Sequence, residues 1–311
     1  MYGYWFCKNI IFLLAGILFF EISCKKYDGL EVSYTAINSG TENDLYSIYF
    51  YNDSIGFAVG GKDYWQGTIL KSIDGGDTWN RKLSTVGWKL RETVFTSRDT
   101  GFIVGNRKTI IKTVDGGETW SKLIPELTAE ADSSKFLNFT SIAFGDSKNG
   151  IAVGGIGFDD GVVLRTTDSG NIWKDISPEV CYDCLVYGNN SELLNNSLTS
   201  VTFSTAKIAY AVGYGMILKT NDAGATWITQ SSPKGGFFKD IVFITELNGF
   251  IIGFKGLGLV TENGGDKWLK NFTNNDHKYI NAISSNDINL YVVGDNMIGY
   301  SKGEGETWSF S

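Results

Sequence analysis

The chain of 311 residues has one histidine, His277, three prolines and five arginines, none of them beyond Arg165. A single histidine excludes sites built from several imidazoles and leaves any nucleophile–base device with one candidate base. His277 lies in the polar run Asn274-Asn-Asp-His-Lys278, which suits a solvated side chain better than a catalytic one. Positive charge is also short: 27 Lys+Arg stand against 34 Asp+Glu, a net charge of −7. That balance lacks the basic footprint of a nucleic-acid binder, so no nucleic-acid partner is expected. Glycine, by contrast, is plentiful at 38, with 42% hydrophobic and 14% aromatic residues. Few prolines and many glycines suit short strands joined by tight turns, and the apolar share is enough for a sizeable core.

The first apolar run, Ile10–Phe20, follows Lys8 and is too short to cross a bilayer at about 1.5 Å per residue. It reads as the hydrophobic stretch of an export signal. The following Glu21-Ile22-Ser23-Cys24 resembles a bacterial lipoprotein box, which implies cleavage before Cys24 and lipidation of its thiol. An ordinary export signal and a short uncleaved anchor are the other readings. Residues 1–23 are therefore expected to be a signal peptide and 24–40 an anchor, tether and closing strand. Residues 41–311 are expected to form one domain in the cell envelope, periplasmic or surface-exposed, held to the membrane by its lipid.

That domain repeats itself. Aligned on a terminal tryptophan, the sequence contains Ser72–Trp79, Thr113–Trp120, Thr166–Trp173, Thr220–Trp227, Thr261–Trp268 and Ser301–Trp308, six versions of Ser/Thr-x-Asp-x-Gly-x-Thr-Trp. Upstream of each lies an apolar strand ended by glycine: Gly56–Gly60, Gly101–Gly105, Gly150–Gly154, Ala209–Gly213, Gly249–Gly253 and Leu290–Gly294. Alternating runs such as Leu45–Phe50 and Leu198–Phe203 precede those strands with the period of two that marks a half-buried strand. Four strands in a unit of roughly 40 residues are the signature of a β-propeller blade. The expected fold is all-β, a propeller of six four-stranded blades, with seven as the alternative. A strand over Glu31–Ile37 is expected to pair with the final blade and close the ring, since Tyr34 precedes Leu45 by the same interval as Trp79 precedes Leu90.

In each box the carboxylate can accept turn N–H groups and glycine supplies positive φ, so Asp74, Asp115, Asp168 and Asp222 read as turn staples. Asn263 and Gly303 replace the acid in the last two boxes. Trp79, Trp120, Trp173, Trp227, Trp268 and Trp308 are expected to bury their rings between blades. The boxes resemble the Asp-box, or bacterial neuraminidase, repeat. Together with the Gly-Phe-x-Val-Gly strands, the chain resembles the photosystem II stability-factor type of propeller. That resemblance implies a non-catalytic assembly or interaction factor, and the wider Asp-box group implies the alternative, a carbohydrate-binding module or glycoside hydrolase.

Length differences between units place insertions at 61–66, 121–138, 155–160 and 174–197, all on the face opposite the boxes. Their exposed candidates for binding an envelope protein or glycan are Tyr64, Trp65, Phe158, Asp159, Asp160, Tyr182, Asp183 and Tyr187, with Trp88, Arg91 and Arg107 expected nearby. The alternative is that these loops pack on one another. Cys181 and Cys184 are expected to form a local disulfide stiffening the longest insertion, a zinc site or redox pair being the other readings. Asp63, Asp159 and Asp160 could face a sugar, yet adjacent acids on one loop rarely reach the separation of about 5–9 Å that glycosidases need. Five arginines, none beyond Arg165, do not build a carboxylate-binding triad around an axis. No catalytic residue, cofactor or metal is assigned, and oligomeric state is left open.

Overall fold

Each repeat folds because its apolar positions alternate along short strands, so one strand cannot bury its side chains without the next. In the computed structural model, residues 5–14, 17–26, 37–62, 66–82, 87–156, 159–177, 197–231, 236–273, 279–286, 289–295, 297–302, 305 and 307–310 are described. Trp5–Leu14 and Ile17–Lys26 pair as an antiparallel hairpin in a unit of their own, with Cys7 opposite Cys24. The second unit, Ala36–Phe310, holds six antiparallel sheets of four strands each, in sequence order within every sheet: a six-bladed propeller.

Blade 1 comprises Leu45–Phe50, Gly56–Lys62, Gln66–Ser72 and Asn80–Lys82, and blade 2 comprises Leu90–Phe95, Gly101–Gly105, Thr109–Thr113 and Ser121–Leu123. Blades 3 to 6 begin at Leu137, Leu198, Phe238 and Ile280 and end at Asp175, Thr229, Thr273 and Phe310. The fourth strand starts after the box tryptophan in blades 1 to 5 and contains it in blade 6, Thr307–Phe310. The final blade thus draws all four strands from its own stretch of chain. Of the closing strand expected over 31–37, only Ile37 falls among the described residues, and it is exposed and outside any strand.

Five hydrophobic clusters join successive blades, and each is assembled the same way. The second and third strands of one blade present one face. The first strand and box tryptophan of the next blade cover it. Between blades 1 and 2, Phe57 stacks on Phe95 at 4.2 Å and Trp120 meets Phe95 edge-on at 6.0 Å. Between blades 2 and 3, Phe102, Phe144 and Trp173 repeat this arrangement, as do Tyr210, Phe243 and Trp268 between blades 4 and 5. The box turn leans on the same ring. Gly117 has φ +81°, and a Cβ there would lie 2.4 Å from Phe57.

Polar ties reinforce these interfaces. Lys71 Nζ donates to the carbonyl of Gly116 and to Glu118, and Lys112 to the carbonyl of Ser169 and to Asn171. Arg165 and Lys219 reach the carbonyls of Ala223 and Gly264 in the same way. The cation immediately before a box thus clasps the box of the next blade.

No sixth cluster links blade 6 to blade 1 among the described residues. Ile48 is 62% exposed although its counterparts Ile142, Val201, Ile241 and Ile283 are buried. On the other side, Val293 is 46% exposed where Val104, Val153, Val212 and Ile252 are wholly buried. Trp79 meets Phe50 edge-on but is only half-buried, and Tyr291 packs on Tyr300 of its own blade.

Candidate recognition face

Every first strand carries a β-bulge near its start, after the opening residue in five blades and after the third in blade 3, at Leu45/Ser47, Leu90/Glu92, Phe139/Ser141, Leu198/Ser200, Phe238/Asp240 and Ile280/Ala282. A bulge re-aims the side chains on either side of it. In blades 2, 4 and 5 the residue after the skipped one, Glu92, Ser200 or Asp240, lines the axial channel, a cavity of about 340 Å³ to which all six first strands contribute. Glu92 and Asp240 stand there. Glu92 accepts the N–H of Ile142 at 2.6 Å; Asp240 accepts Ser200 Oγ at 2.7 Å and the N–H of Ile283 at 3.0 Å.

Both carboxyls are half-buried where they line the channel, with protein on their other sides. That desolvation pushes Glu92 up to about 8, against the hydrogen bonds from Ser141 and Ile142, with the Asp240 charge adding a smaller upward push. Burial raises Asp240 as well. Their oxygens tie one blade to the next. Among the described residues, no three His, Cys, Asp or Glu side chains gather as a metal site.

The skipped residues include Tyr46 and Arg91, and these lead to the upper face. Lys89 Nζ lies 4.7 Å and the Arg91 guanidinium 5.4 Å from the centre of the Tyr46 ring. Arg91 Nε also donates to Asn106 Oδ1 at 2.9 Å. Asn106 opens the turn between the second and third strands of blade 2, where Arg107 and Lys108 both take left-handed backbone conformations, φ 59° and 58°. Such conformations cost a non-glycine residue of order 1 kcal/mol and persist only when neighbours enforce them.

Here the enforcement is visible. Asn106 N–H donates to the Lys89 carbonyl, Arg107 N–H to Asn138 Oδ1 and Lys108 N–H to the Leu137 carbonyl, at 2.8, 3.1 and 3.0 Å. The result puts the Arg107 guanidinium 4.7 Å from the Trp88 ring and 5.7 Å from Phe136, a ring 67% exposed. Three cations and three aromatic rings from blades 1, 2 and 3 therefore share one rim. Cation–π pairs of this kind hold the guanidinium plane in place while leaving its donors for a ligand.

The structure brings together Trp88, Arg91 and Arg107 of the residues singled out from sequence. Tyr64, Trp65, Phe158, Tyr182, Asp183, Tyr187, Cys181, Cys184 and His277 lie outside the described residues. Asp159 and Asp160 correct the expectation of a loose loop, because they begin the third strand of blade 3, with Ile156 opposite Asp159. In blade 1 likewise, Lys62 pairs with Gln66, so the extra residues lengthen a hairpin. The insertion at 121–138 forms the short helix Ala129–Ser133, capped by Thr128 and tied through Thr128 Oγ1 to Asp175. Its Asp132 pairs with Lys108. This insertion packs on the next blade, and Phe136 at its end is what it adds to the face. Lys89, Tyr46 and Phe136 were missed from sequence, where the only available signal was their place beside the opening residue of a first strand.

At the opposite face the boxes hold together as turns. In blade 2, Asp115 accepts Thr119 N–H at 2.9 Å, Thr119 Oγ1 at 2.5 Å and Thr113 Oγ1 at 2.7 Å. These bonds, the Thr119 hydroxyl first, hold its carboxyl down at about 2, and Asp74 is held equally low by Thr78 and Ser72. Asp168 and Asp222 make the corresponding bonds to Ile172 and Thr226, and Asn263 accepts from Lys267. Trp120, Trp173, Trp227 and Trp268 are buried, while Trp308 is half-buried and donates Nε1–H to Asn271 Oδ1 at 2.8 Å.

Residues 85–228, spanning blades 2 to 4 and most of this rim, match the family model of the photosynthesis system II assembly factor YCF48. No curated protein matches the chain. Among solved structures the matches number 637 chains, so the likeness in fold is broad rather than specific to one activity. YCF48 from Cyanidioschyzon merolae aligns with a TM-score of 0.66 at 16% identity, over 88% of this chain and 87% of that one. An ancestral GH74 enzyme aligns with a TM-score of 0.64 at 15% identity, over 89% of this chain and 39% of that one. A YCF48 bound to D1 peptide aligns at 0.45 and 18% identity, over 85% of this chain and 95% of that one. At these identities the first two show the shared propeller fold.

Proposed function

We propose that the chain is a non-catalytic, lipid-anchored envelope propeller that binds a protein partner through its upper face, as an assembly or interaction factor. The observation that carries this reading is Arg107, held in a left-handed turn between Trp88 and Phe136 beside Lys89 and Arg91. A concentration of cations and exposed rings on a protein of net charge −7 suits a partner segment that brings carboxylates. The match of residues 85–228 to an assembly-factor model supports the same class. The two channel carboxyls are committed to inter-blade hydrogen bonds, which argues against their use on a sugar. The proposal of lipidation at Cys24 rests on the resemblance of Glu21-Ile22-Ser23-Cys24 to a lipoprotein box.

The test is capture of cross-linked partners from envelope extract by the full chain and by a Trp88→Ala/Arg107→Gly variant, with proteins and glycans both analysed. A protein recovered by the parent and lost with the variant supports the reading. Glycan recovered without protein moves the chain to the carbohydrate-binding class. For the anchor, incorporation of a labelled fatty acid that disappears in Cys24→Ser is the expected result, and labelling that persists overturns it.

A further inference from the structure

Blades 4 to 6 have no insertions, yet the same upper face carries a second row of rings there. Tyr214 and Phe237 approach edge-on at 5.1 Å, Phe237 and Phe254 at 5.8 Å, and Phe254 and Tyr279 at 5.0 Å. Phe237 is 48% exposed, and Tyr279 is exposed as well. The row is held by backbone rather than by chance contact of side chains. Tyr214 and Phe237 form an antiparallel bridge, Phe254 N–H donates to the Phe237 carbonyl at 2.9 Å, and Asp295 N–H donates to the Tyr279 carbonyl at 2.9 Å.

Two lysines accompany the rings. Lys239, the skipped residue of its bulge, places Nζ 5.3 Å from the Phe254 ring centre. Lys255 is exposed at the tip of its turn with φ 56°, as Arg107 is in blade 2. The carboxylate at the end of the row, Asp295, accepts from Asn281 Nδ2 at 3.2 Å. Cations are thus available and the neighbouring anion is engaged.

We infer that this row is a second docking site, for an extended peptide segment in which aromatic or aliphatic residues are interleaved with Asp or Glu. The inference rests on the reading of the upper face as a protein-binding surface and extends it to a site that contains none of the Arg107 cluster. Three ring-to-ring steps of 5.0–5.8 Å match the reach of about five extended residues. Successive rings are turned by 74°, 62° and 80°, so they leave notches for inserted side chains and not the parallel ring faces on which a sugar chain stacks. The lysines then meet the acidic residues between the anchors. Because the backbone fixes the row in advance, little ordering is lost on binding.

The experiment is selection of a random octapeptide library on the full chain, followed by fluorescence anisotropy of the enriched peptides on the parent, Phe237→Ala, Lys255→Gly and Arg107→Gly, each checked by its melting curve. Expected are peptides of the stated pattern that bind Phe237→Ala at least tenfold more weakly, and that lose affinity and part of their salt dependence on Lys255→Gly. The glycine variant suits the left-handed backbone, so it removes charge without strain. Absence of enrichment overturns the inference, as do peptides indifferent to both variants while the proteins remain folded. Peptides that depend on Arg107 alone overturn this site and leave the blade 2 reading standing. Binding of a glucan hexaose in place of any peptide overturns both.

Discussion

The Glu92 carboxyl of blade 2 accepts the backbone N–H of Ile142 in blade 3 at 2.6 Å, inside the axial channel. The same register recurs around the ring, with Ser141 accepting from Val201 N–H at 2.9 Å and Asp240 from Ile283 N–H at 3.0 Å. Blades 2, 3 and 5 thus each tie the next blade through one side chain.

Burial pushes Glu92 up to about 8 from 4.5, so between those values the folded protein holds a proton that the unfolded chain has lost. Stability is then highest below pH 4.5 as far as this group is concerned, and it falls as pH rises towards 8, by up to about 1.4 kcal/mol per pH unit. Glu92→Gln should flatten that slope in melting curves taken from pH 5 to 8.5. Asp240, raised in the same direction, leaves a residual slope at the acid end. A parent melting temperature that climbs over this range contradicts the assignment.

Arg107 should trade stability for binding. Arg107→Gly removes the strain of φ 59° and is expected to leave the melting temperature unchanged or raise it, by roughly 0.5–1 kcal/mol at most. The same variant should lose the partner captured by the upper face. Partner binding that survives would show that the guanidinium is not part of the recognition rim.

The exposed flank of blade 1 yields a paired comparison. Leu90 is wholly buried at the start of blade 2, and Leu90→Ala should cost about 2–5 kcal/mol. Leu45, its counterpart in blade 1, is 39% exposed, and Leu45→Ala should cost under about 1 kcal/mol. Equal losses in chemical denaturation would mean that another surface covers blade 1.

Glycines separate steric cost from conformational cost. Gly117→Ala places a Cβ 2.4 Å from Phe57 at φ +81°, whereas Gly215→Ala at φ +73° meets nothing within 4 Å. The second should lose about 1 kcal/mol from backbone strain, the first a further 1–3 kcal/mol or so from overpacking. Similar melting temperatures for the two variants would place the Phe57 ring away from the box turn.

In the boxes, Asp115→Asn should be tolerated better than Asp115→Ala, because Asn263 already accepts the Lys267 N–H at 3.0 Å in blade 5. The amide keeps an acceptor for the turn, and alanine leaves the Thr119 N–H without it. The readout is the melting temperature at pH 7. Identical melting temperatures for the two variants would remove the staple from the account of the turn.

The repeat was legible from Trp79 to Trp308 because a blade is a local object: its four strands follow one another and its box closes within eight residues. Trp88, Arg91 and Arg107 could be assigned to the rim for the same reason, since a fixed blade length puts every connection on a known face. The row Tyr214, Phe237, Phe254 and Tyr279 escaped notice because insertion lengths were the guide and blades 4 to 6 have none at these positions. Asp159 and Asp160 belong to a lengthened hairpin, which a longer interval between strands signals as readily as it signals a loop.

Sequence alone determined the four-stranded repeat and the identity of the box residues, since alternation and turn chemistry act over a few neighbours. Only the tertiary structure decided what crosses from one blade to the next. The six bulges, the clasp of Lys71 on the Gly116 carbonyl, the lift of Glu92 and the meeting of Arg107 with Trp88 and Phe136 all depend on distances between segments far apart in the chain. So does the exposure of Ile48, whose sequence context is that of a buried residue. Burial belongs to the partner a face meets, and the pattern within a strand specifies the face without naming that partner.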